Sequence, residues 1–302
     1  MTTLEHQAAA ASATPIAKPE SPPPVTFIGP KKGWQALDIR EIWRYRDLLI
    51  QLTLREVQVR YKQTVLGIFW AIIQPLATSG ILAVFFGILM GKGNEPGIRG
   101  TPYFIATFCA MLPWQLFASS LTQAGGSLIT NQRLITKVYF PRLVIPLSAV
   151  FSALIDFGIA LAALLVAMIV YGVYPSWPIL LLPLFTILAM MVALAVGLWL
   201  AALSAIYRDF RHVIPFLIQI GFFISPVIYS VQSLNAKLPS WAMTLYGLNP
   251  MAGVIAGFRW CLLAHAPAPG LVLLPSVCMT IVLFLGGAYY FRYMEKWFAD
   301  LI

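Results

Sequence analysis

Six long apolar runs set the pattern of this chain: Leu66–Met90, Tyr103–Leu121, Leu143–Val173, Ile179–Ile206, Val213–Val231 and Leu271–Phe291, with Asp156 the one charge inside them. A hydrocarbon core of about 30 Å takes roughly 20 consecutive apolar residues to cross as helix. A helix also satisfies its own backbone groups where lipid cannot. Each run therefore predicts a transmembrane helix, and the third and fourth are long enough to tilt. A porin-like barrel would show ~10-residue segments alternating apolar and polar, whereas these runs are apolar on every side. The fold class predicted is all-α: a polytopic membrane protein with six transmembrane helices.

Two further segments need separate treatment. Ser240–Ala264 is apolar enough to be a seventh candidate, but Asn249-Pro250 divides it into pieces each too short to cross. It is expected to form a re-entrant or interfacial helical hairpin on the periplasmic side. Asp38–Gln63 is as long as a span, yet lysines, arginines and acids are threaded through it. Residues 34–63 are expected to form an amphipathic helix along the inner surface, broken near Asp47, with Ile39, Ile42, Trp43, Leu49 and Ile50 facing lipid. Residues 1–33, rich in Ala, Pro and Ser, lack the large apolar groups that pack a core and are expected to be a disordered cytoplasmic tail. They also lack the leucine-rich segment of a cleaved secretory signal. Residues 64–302 are expected to form the transmembrane domain.

Composition supports the membrane assignment, since 60% of the residues are apolar and 10% charged, whereas soluble domains carry about 25% charged residues. The placement of the +9 net charge gives an orientation. With a cytoplasmic amino terminus, sixteen Lys and Arg fall inside and four (Lys92, Arg99, Lys237, Arg259) outside, the bias expected of inner-membrane proteins. Both termini are then cytoplasmic. Counting Ser240–Ala264 as a full span would move Arg292 and Lys296 outside, against the same rule. Cys109, Cys261 and Cys278 are scattered through apolar segments without metal-ligand spacing and read as small hydrophobes.

The candidate chemistry is that of passage rather than catalysis. No Gly-x-x-x-x-Gly-Lys-[Ser/Thr], Cys-x-x-Cys, His-x-x-x-His or Gly-x-Ser-x-Gly occurs, so the chain is expected to hydrolyse no ATP and to bind no metal or cofactor. In Asp38–Gln63, Arg55, Arg60 and Lys62 either anchor the helix to anionic lipid or meet an anionic headgroup entering a pore. Asn131–Arg142 mixes Leu134, Ile135, Val138, Tyr139 and Phe140 with Arg133 and Lys137 before Pro141 ends it, an apolar knob that reads as a docking surface or as a headgroup-bound segment. In Tyr207–Arg211, Asp209 is expected to cap the next helix, with Arg208, Asp209 and Arg211 as a second docking or gating loop. Asp156 continues a stripe with Ser148 and Ser152 at four-residue spacing, which should face other helices and hydrogen-bond there. Gln74-Pro75 and Ser225-Pro226 interrupt the first and fifth spans, as membrane helices tolerate where neighbours or a cavity satisfy the freed groups. Both spans can thus line a path, accompanied by Phe69, Trp70, Phe85, Phe86, Phe222, Phe223 and Tyr229, rings that either stack on sugars or pack.

The runs WRYRDLLIQLTLREVQVRYKQTVLGIFWAIIQPL, LITKVYFPRLVIPLSAV, YRDFRHV, FFISPVIYS and LNPMAGVIAGFR, in this order, resemble the permease subunit of type-2 ABC exporters for polysaccharides. The likeness covers nearly everything after Leu37, and within that group it is most similar to permeases for lipid-linked O-antigen, teichoic acid and capsule. The resemblance implies a homodimer joined by two copies of a cytoplasmic ABC ATPase that holds the ATP and Mg²⁺. It implies a gate helix at Asp38–Gln63 and coupling to the ATPase through Leu134, Thr136, Lys137, Val138, Tyr139, Phe140 and Arg142. It also implies channel-lining first and fifth spans and an undecaprenyl-diphosphate-linked polysaccharide as cargo. Rival readings are an ABC-2 exporter of small lipophilic molecules, a membrane-embedded polyprenyl-lipid transferase and an ion-coupled carrier. The last two normally place several charges in or at the membrane, and here Asp156 stands alone in the spans.

Overall fold

The computed structural model describes residues 39–62, 64, 67–91, 100–207 and 209–298, with no strand among them. The tail expected at residues 1–33 lies outside the described residues. Five helical stretches are long and apolar enough to cross a membrane: Gly67–Leu89, Tyr103–Thr130, Val144–Val170, Trp177–Ile206 and Gly270–Met294. The elements in chain order are α1 (Ile39–Arg44), α2 (Arg46–Tyr61), α3 (Trp70–Leu82), α4 (Tyr103–Thr130), α5 (Gln132–Lys137) and α6 (Val144–Val170). After these come α7 (Leu182–Ile206), α8 (Phe210–Ile224), α9 (Val231–Asn235), α10 (Ser240–Tyr246), α11 (Pro250–Leu262) and α12 (Leu273–Met294).

The centre of the bundle is α4, which packs most extensively on α7 and α6. Small residues let these helices approach, as expected where lipid gives no hydrophobic drive for association. A Cβ on Gly197 of α7 would sit 3.1 Å from that of Ala124 on α4. Close packing also explains why α4 runs nine residues past the expected end at Leu121. The Thr-Gln-Ala-Gly-Gly-Ser stretch, polar enough to look like a loop, remains helical with Ala124, Gly125, Ser127 and Leu128 buried. Against α7, α12 is equally close: a Cβ on Gly287 would lie 2.7 Å from the Ala195 carbonyl oxygen and 2.9 Å from the Trp199 ring.

The first span departs from expectation in its break. Helix α3 runs through Pro75, which is buried, and changes to π-helical winding only at Ala83–Leu89. The fifth span differs more. Helix α8 has 15 residues, about 22 Å, and stops at Ser225 instead of reaching Val231. Pro226 bars the residue before it from helical geometry, and Ser225 accordingly has ψ 150°.

The carbonyls freed by that stop are met by protein donors. Tyr229 and Tyr246 hydroxyls donate to the Ile224 carbonyl at 2.7 and 3.0 Å. Arg259 of α11 donates to the carbonyls of Val227 (2.9 Å) and Tyr229 (2.6 Å), and the Tyr103 hydroxyl donates to that of Ile228. The segment after Ser225 is thus buried protein, which irregular backbone in a membrane requires.

Ser240–Ala264 divides at Asn249 into α10 and α11. The Asn249 side chain accepts from the Met251 amide at 3.1 Å, and Pro250 occupies the first helical turn, the usual start of a helix. Helix α11 carries Gly253 and Gly257 on one face, where a Cβ would meet Ser276 of α12 at 2.7 Å and the Phe185 ring of α7 at 2.1 Å.

These contacts generate two predictions. Gly287→Ala should destabilise the detergent-solubilised protein by about 1–3 kcal/mol through overpacking, read as a lowered thermal midpoint. Gly126→Ala, where nothing lies within 4 Å of the new Cβ, should leave it unchanged or raise it. Arg259→Met should cost about 1–3 kcal/mol for each carbonyl left unsatisfied, and limited proteolysis should then cut between Ser225 and Ser230 while the wild-type protein resists.

Candidate functional site

The site is built where the end of α2, the first span, α4 and α6 meet around a cavity of about 280 Å³. Two four-residue repeats shape it. On α6, Ser148, Ser152 and Asp156 form one face; on α2, Glu56 and Arg60 form another, followed by Tyr61. Ser148 donates to Glu56 at 3.1 Å. Arg60 Nη1 donates to Asp156 Oδ2, and Nη2 donates to Gln123 Oε1 and, at 3.0 Å, to Ser152 Oγ. The Tyr61 hydroxyl donates to Asp156 Oδ1, and Ser152 donates to Gln123 at 3.0 Å. The stripe through Asp156 thus faces a helix, as its spacing predicts.

Helix α2 meets the bundle with a mixed face. The side that meets protein carries Leu48, Leu49 and Leu52 together with Glu56 and Arg60, whereas Ile50, Leu54 and Val59 are exposed among Gln51, Arg55 and Gln58. The exposed side, apolar and charged in turn, suits a membrane surface. The packing also corrects the expected lipid-facing set. The helix breaks at Tyr45, ahead of Asp47; Trp43 and Ile50 are exposed, but Ile42 and Leu49 pack on the buried cluster around Leu52 and Phe291. The side chain of Ile39 lies outside the described residues.

Arg60 and Asp156 balance each other in charge. The side chains of Arg60 and Asp156 are 28% and 20% exposed, so each would be costly without the other. Burial pushes the Glu56 carboxyl above its usual range, against the opposing hydrogen bonds from Ser148 and Ser152 and the attraction of Arg60 and Arg55. Glu56 Oε2 is buried with no hydrogen-bond partner. Burial likewise lowers the Arg60 guanidinium from its usual value.

The rest of the cavity wall sets a stripe of amide, hydroxyl and ring among the apolar side chains of Ala71, Leu112, Leu116, Ala153 and Ala160. Gln115, Ser119 and Gln123 descend one side of α4 at intervals of four, facing Gln74 and Trp70 of α3, with Phe157 below. Such a wall can donate to and accept from hydroxyls while an indole face covers an apolar ring surface, and a neutral arginine–aspartate pair adds no net attraction for an anion. The α4 stripe is the part that sequence reasoning missed. Three polar residues at a four-residue period in an apolar span carry the same signal that identified Ser148, Ser152 and Asp156.

Other expected site residues are dispersed. Arg60 is engaged by Asp156, while Arg55 and Lys62 are exposed. Of the rings, Trp70 lines the cavity; Phe69, Phe85 and Phe223 are exposed; Phe86 packs on the main core; Phe222 packs edge-on against Trp114 at 5.8 Å; and Tyr229 is tied to Ile224. In the segment around α5, Thr136, Lys137, Val138 and Tyr139 are exposed, Leu134 is half-buried and Phe140 is buried.

Arg142 turns away from that surface. Its amide donates to Glu295 Oε1 at 3.1 Å, its guanidinium donates to the Glu295 carbonyl, and the same guanidinium lies 6.0 Å from the Phe298 ring. Glu295 also meets Arg292 (3.0 Å), which in turn reaches Glu41 of α1 at 3.2 Å. In the short loop, Arg208 lies outside the described residues, and Arg211 is exposed beside Thr122 and Thr130. Asp209 makes no side-chain cap, contrary to expectation. Its backbone is already helical (φ −66°, ψ −25°), whereas a capping residue is extended so that its side chain can reach back.

Comparison with known proteins shows the family. Residues 47–263 fit the family model described as ABC-2 type transporter. The chain is 30% identical over 265 residues to the O-antigen export system permease protein RfbA of Myxococcus xanthus, covering 87% of this chain and 98% of the relative. It is 31% identical to the protein of the same name from Klebsiella pneumoniae (70% and 79% covered) and 26% identical to the polysialic acid transport protein KpsM of Escherichia coli (79% and 90%). These likenesses set aside the transferase reading, and the chain belongs to the ABC-2 type transporter family.

Proposed function

We propose that this chain is the membrane-spanning subunit of an ATP-driven exporter that carries a cell-surface polysaccharide, O-antigen-like and linked to undecaprenyl diphosphate, out of the cytoplasm across the inner membrane. The observation that carries the reading is the uncharged, amide- and hydroxyl-lined wall of Gln115, Ser119 and Gln123 opposite Trp70. Hydroxyl-rich sugar rings suit such a wall. Polysialic acid, a polyanion and the cargo named for KpsM, suits it less, because the arginine of the cavity is already neutralised by Asp156.

Orientation follows the excess of Lys and Arg on one side: both termini and the α5 segment are cytoplasmic, and α10–α11 are a periplasmic re-entrant pair. The working unit is a homodimer. In Gly67–Leu89 only 11% of the most apolar stretch is buried, against 78% in Tyr103–Thr130, and α8 buries Ile214 alone. A second copy covering these two helices would enclose the path between them. Two copies of a separate ATPase hold the ATP and Mg²⁺ and dock on Thr136–Tyr139, and this chain binds no cofactor. The lipid diphosphate meets Arg55 and Lys62, exposed cations suited to phosphate, and Arg60 serves the wall.

Cells lacking this chain should lose surface polysaccharide and accumulate the lipid-linked glycan inside; unchanged surface glycan would refute the function. Tyr139→Ala, which removes a ring 72% exposed, should weaken co-purification of the ATPase by about tenfold or more, as loss of an aromatic anchor does. The pair Arg55→Ala and Lys62→Ala should lower export while the ATPase stays bound; normal export would remove both residues from headgroup binding.

A further inference from the structure

We infer that Arg60 and Asp156 are a positioning pair that transmits movement of α6 to the base of the first span. The inference rests on the export reading above and concerns the residues that couple the motor to the path. The chain order supplies the route. The α5 segment leads within a few residues into α6, and Asp156 lies twelve residues along α6, about 18 Å from its start. At that depth Arg60 holds the last turn of α2 to α6 through Asp156 and Ser152, while Gln123 of α4 accepts from the same guanidinium. Tyr61 adds a second bond to Asp156. Only a short link separates this anchored turn from the left-handed Gly67 (φ +47°), where the first span begins with a single 3-10 turn ahead of α3.

At its other end the α1–α2 segment is fixed by a second set of ion pairs. Glu41 of α1 binds Arg292 of α12, whose neighbour Glu295 holds Arg142 just ahead of α6. The segment is therefore a strap pinned by ion pairs at both ends, with Leu48, Leu49 and Leu52 packed between them on the cluster that includes Ile145 and Ala149 of α6. Its outer face, with Ile50, Leu54 and Val59 exposed, adds no further hold on the protein. Ser148 and Glu56 extend the strap's seam with α6, but a hydroxyl on a carboxyl displaced toward its neutral form is a weaker fastener than a desolvated ion pair. A displacement of α6 at its α5 end thus reaches Gly67 and α3 through Arg60 and Asp156. Interfaces of this kind move as units rather than deforming continuously.

A double-mutant cycle in the intact complex with its ATPase tests this. Arg60→Ala and Asp156→Ala should each lower export roughly tenfold, while assembly and ATP hydrolysis stay near wild type. The double variant should export no worse than either single variant, because residues that act as one unit are non-additive. Arg60→Lys, which keeps the charge, should recover part of the loss. Single variants strand one charge at the helix interface and can fail to insert; the double variant removes both charges and then decides alone. If it hydrolyses ATP and exports at the wild-type rate, the assignment falls, as it does if the single losses multiply or hydrolysis falls in step with export. Absence of export by the wild-type complex would instead overturn the function itself.

Discussion

Lipid provides no hydrogen-bond partners, and most of what this chain does with its polar residues follows from that constraint. An ionised group at helix depth is stable only beside its counter-charge, and an unpaired carbonyl only beside a protein donor. Arg60 and Asp156 meet the first demand, and the donors around Ser225–Ser230 meet the second. Each solution joins segments distant in sequence. The constraint that restricts polar groups therefore also specifies the tertiary structure, since hydrophobic burial cannot distinguish one oily helix contact from another.

The apolar helices are legible because length and hydropathy are local properties, and all but one of the predicted runs form helices long enough to cross. The exception, α8, turns on one local rule: Pro226 forces Ser225 to be extended. The extension of α4 past Leu121 is not visible in the same way. Gln, Ser and Thr there look like the start of a loop unless it is known that α7 lies close enough to bury Ala124 and Gly125.

The candidate site is half legible. A polar stripe at four-residue spacing reveals that Asp156 faces protein, but a single sequence gives no means of matching one stripe to another. Its partner is a cation whose sequence position suits headgroup binding equally well, so only three-dimensional proximity identifies it. Asp209 fails as a cap for a similar reason: a capping residue is recognised by type, yet capping depends on the φ and ψ of that residue, which the loop before it determines. The aromatic rings disperse because ring type carries no address. Trp114 and Phe222 pack together while Phe223, one residue on, is exposed.

Arg60 and Arg259 fasten the bundle through different kinds of acceptor. Arg60 is held by a carboxylate on a neighbouring helix, a charged acceptor. The backbone oxygens that hold Arg259 accept no proton in any habitable medium. The joint between α11 and the segment behind α8 should accordingly be indifferent to acidification, a useful property on whichever face of the membrane is exposed to the surroundings of the cell.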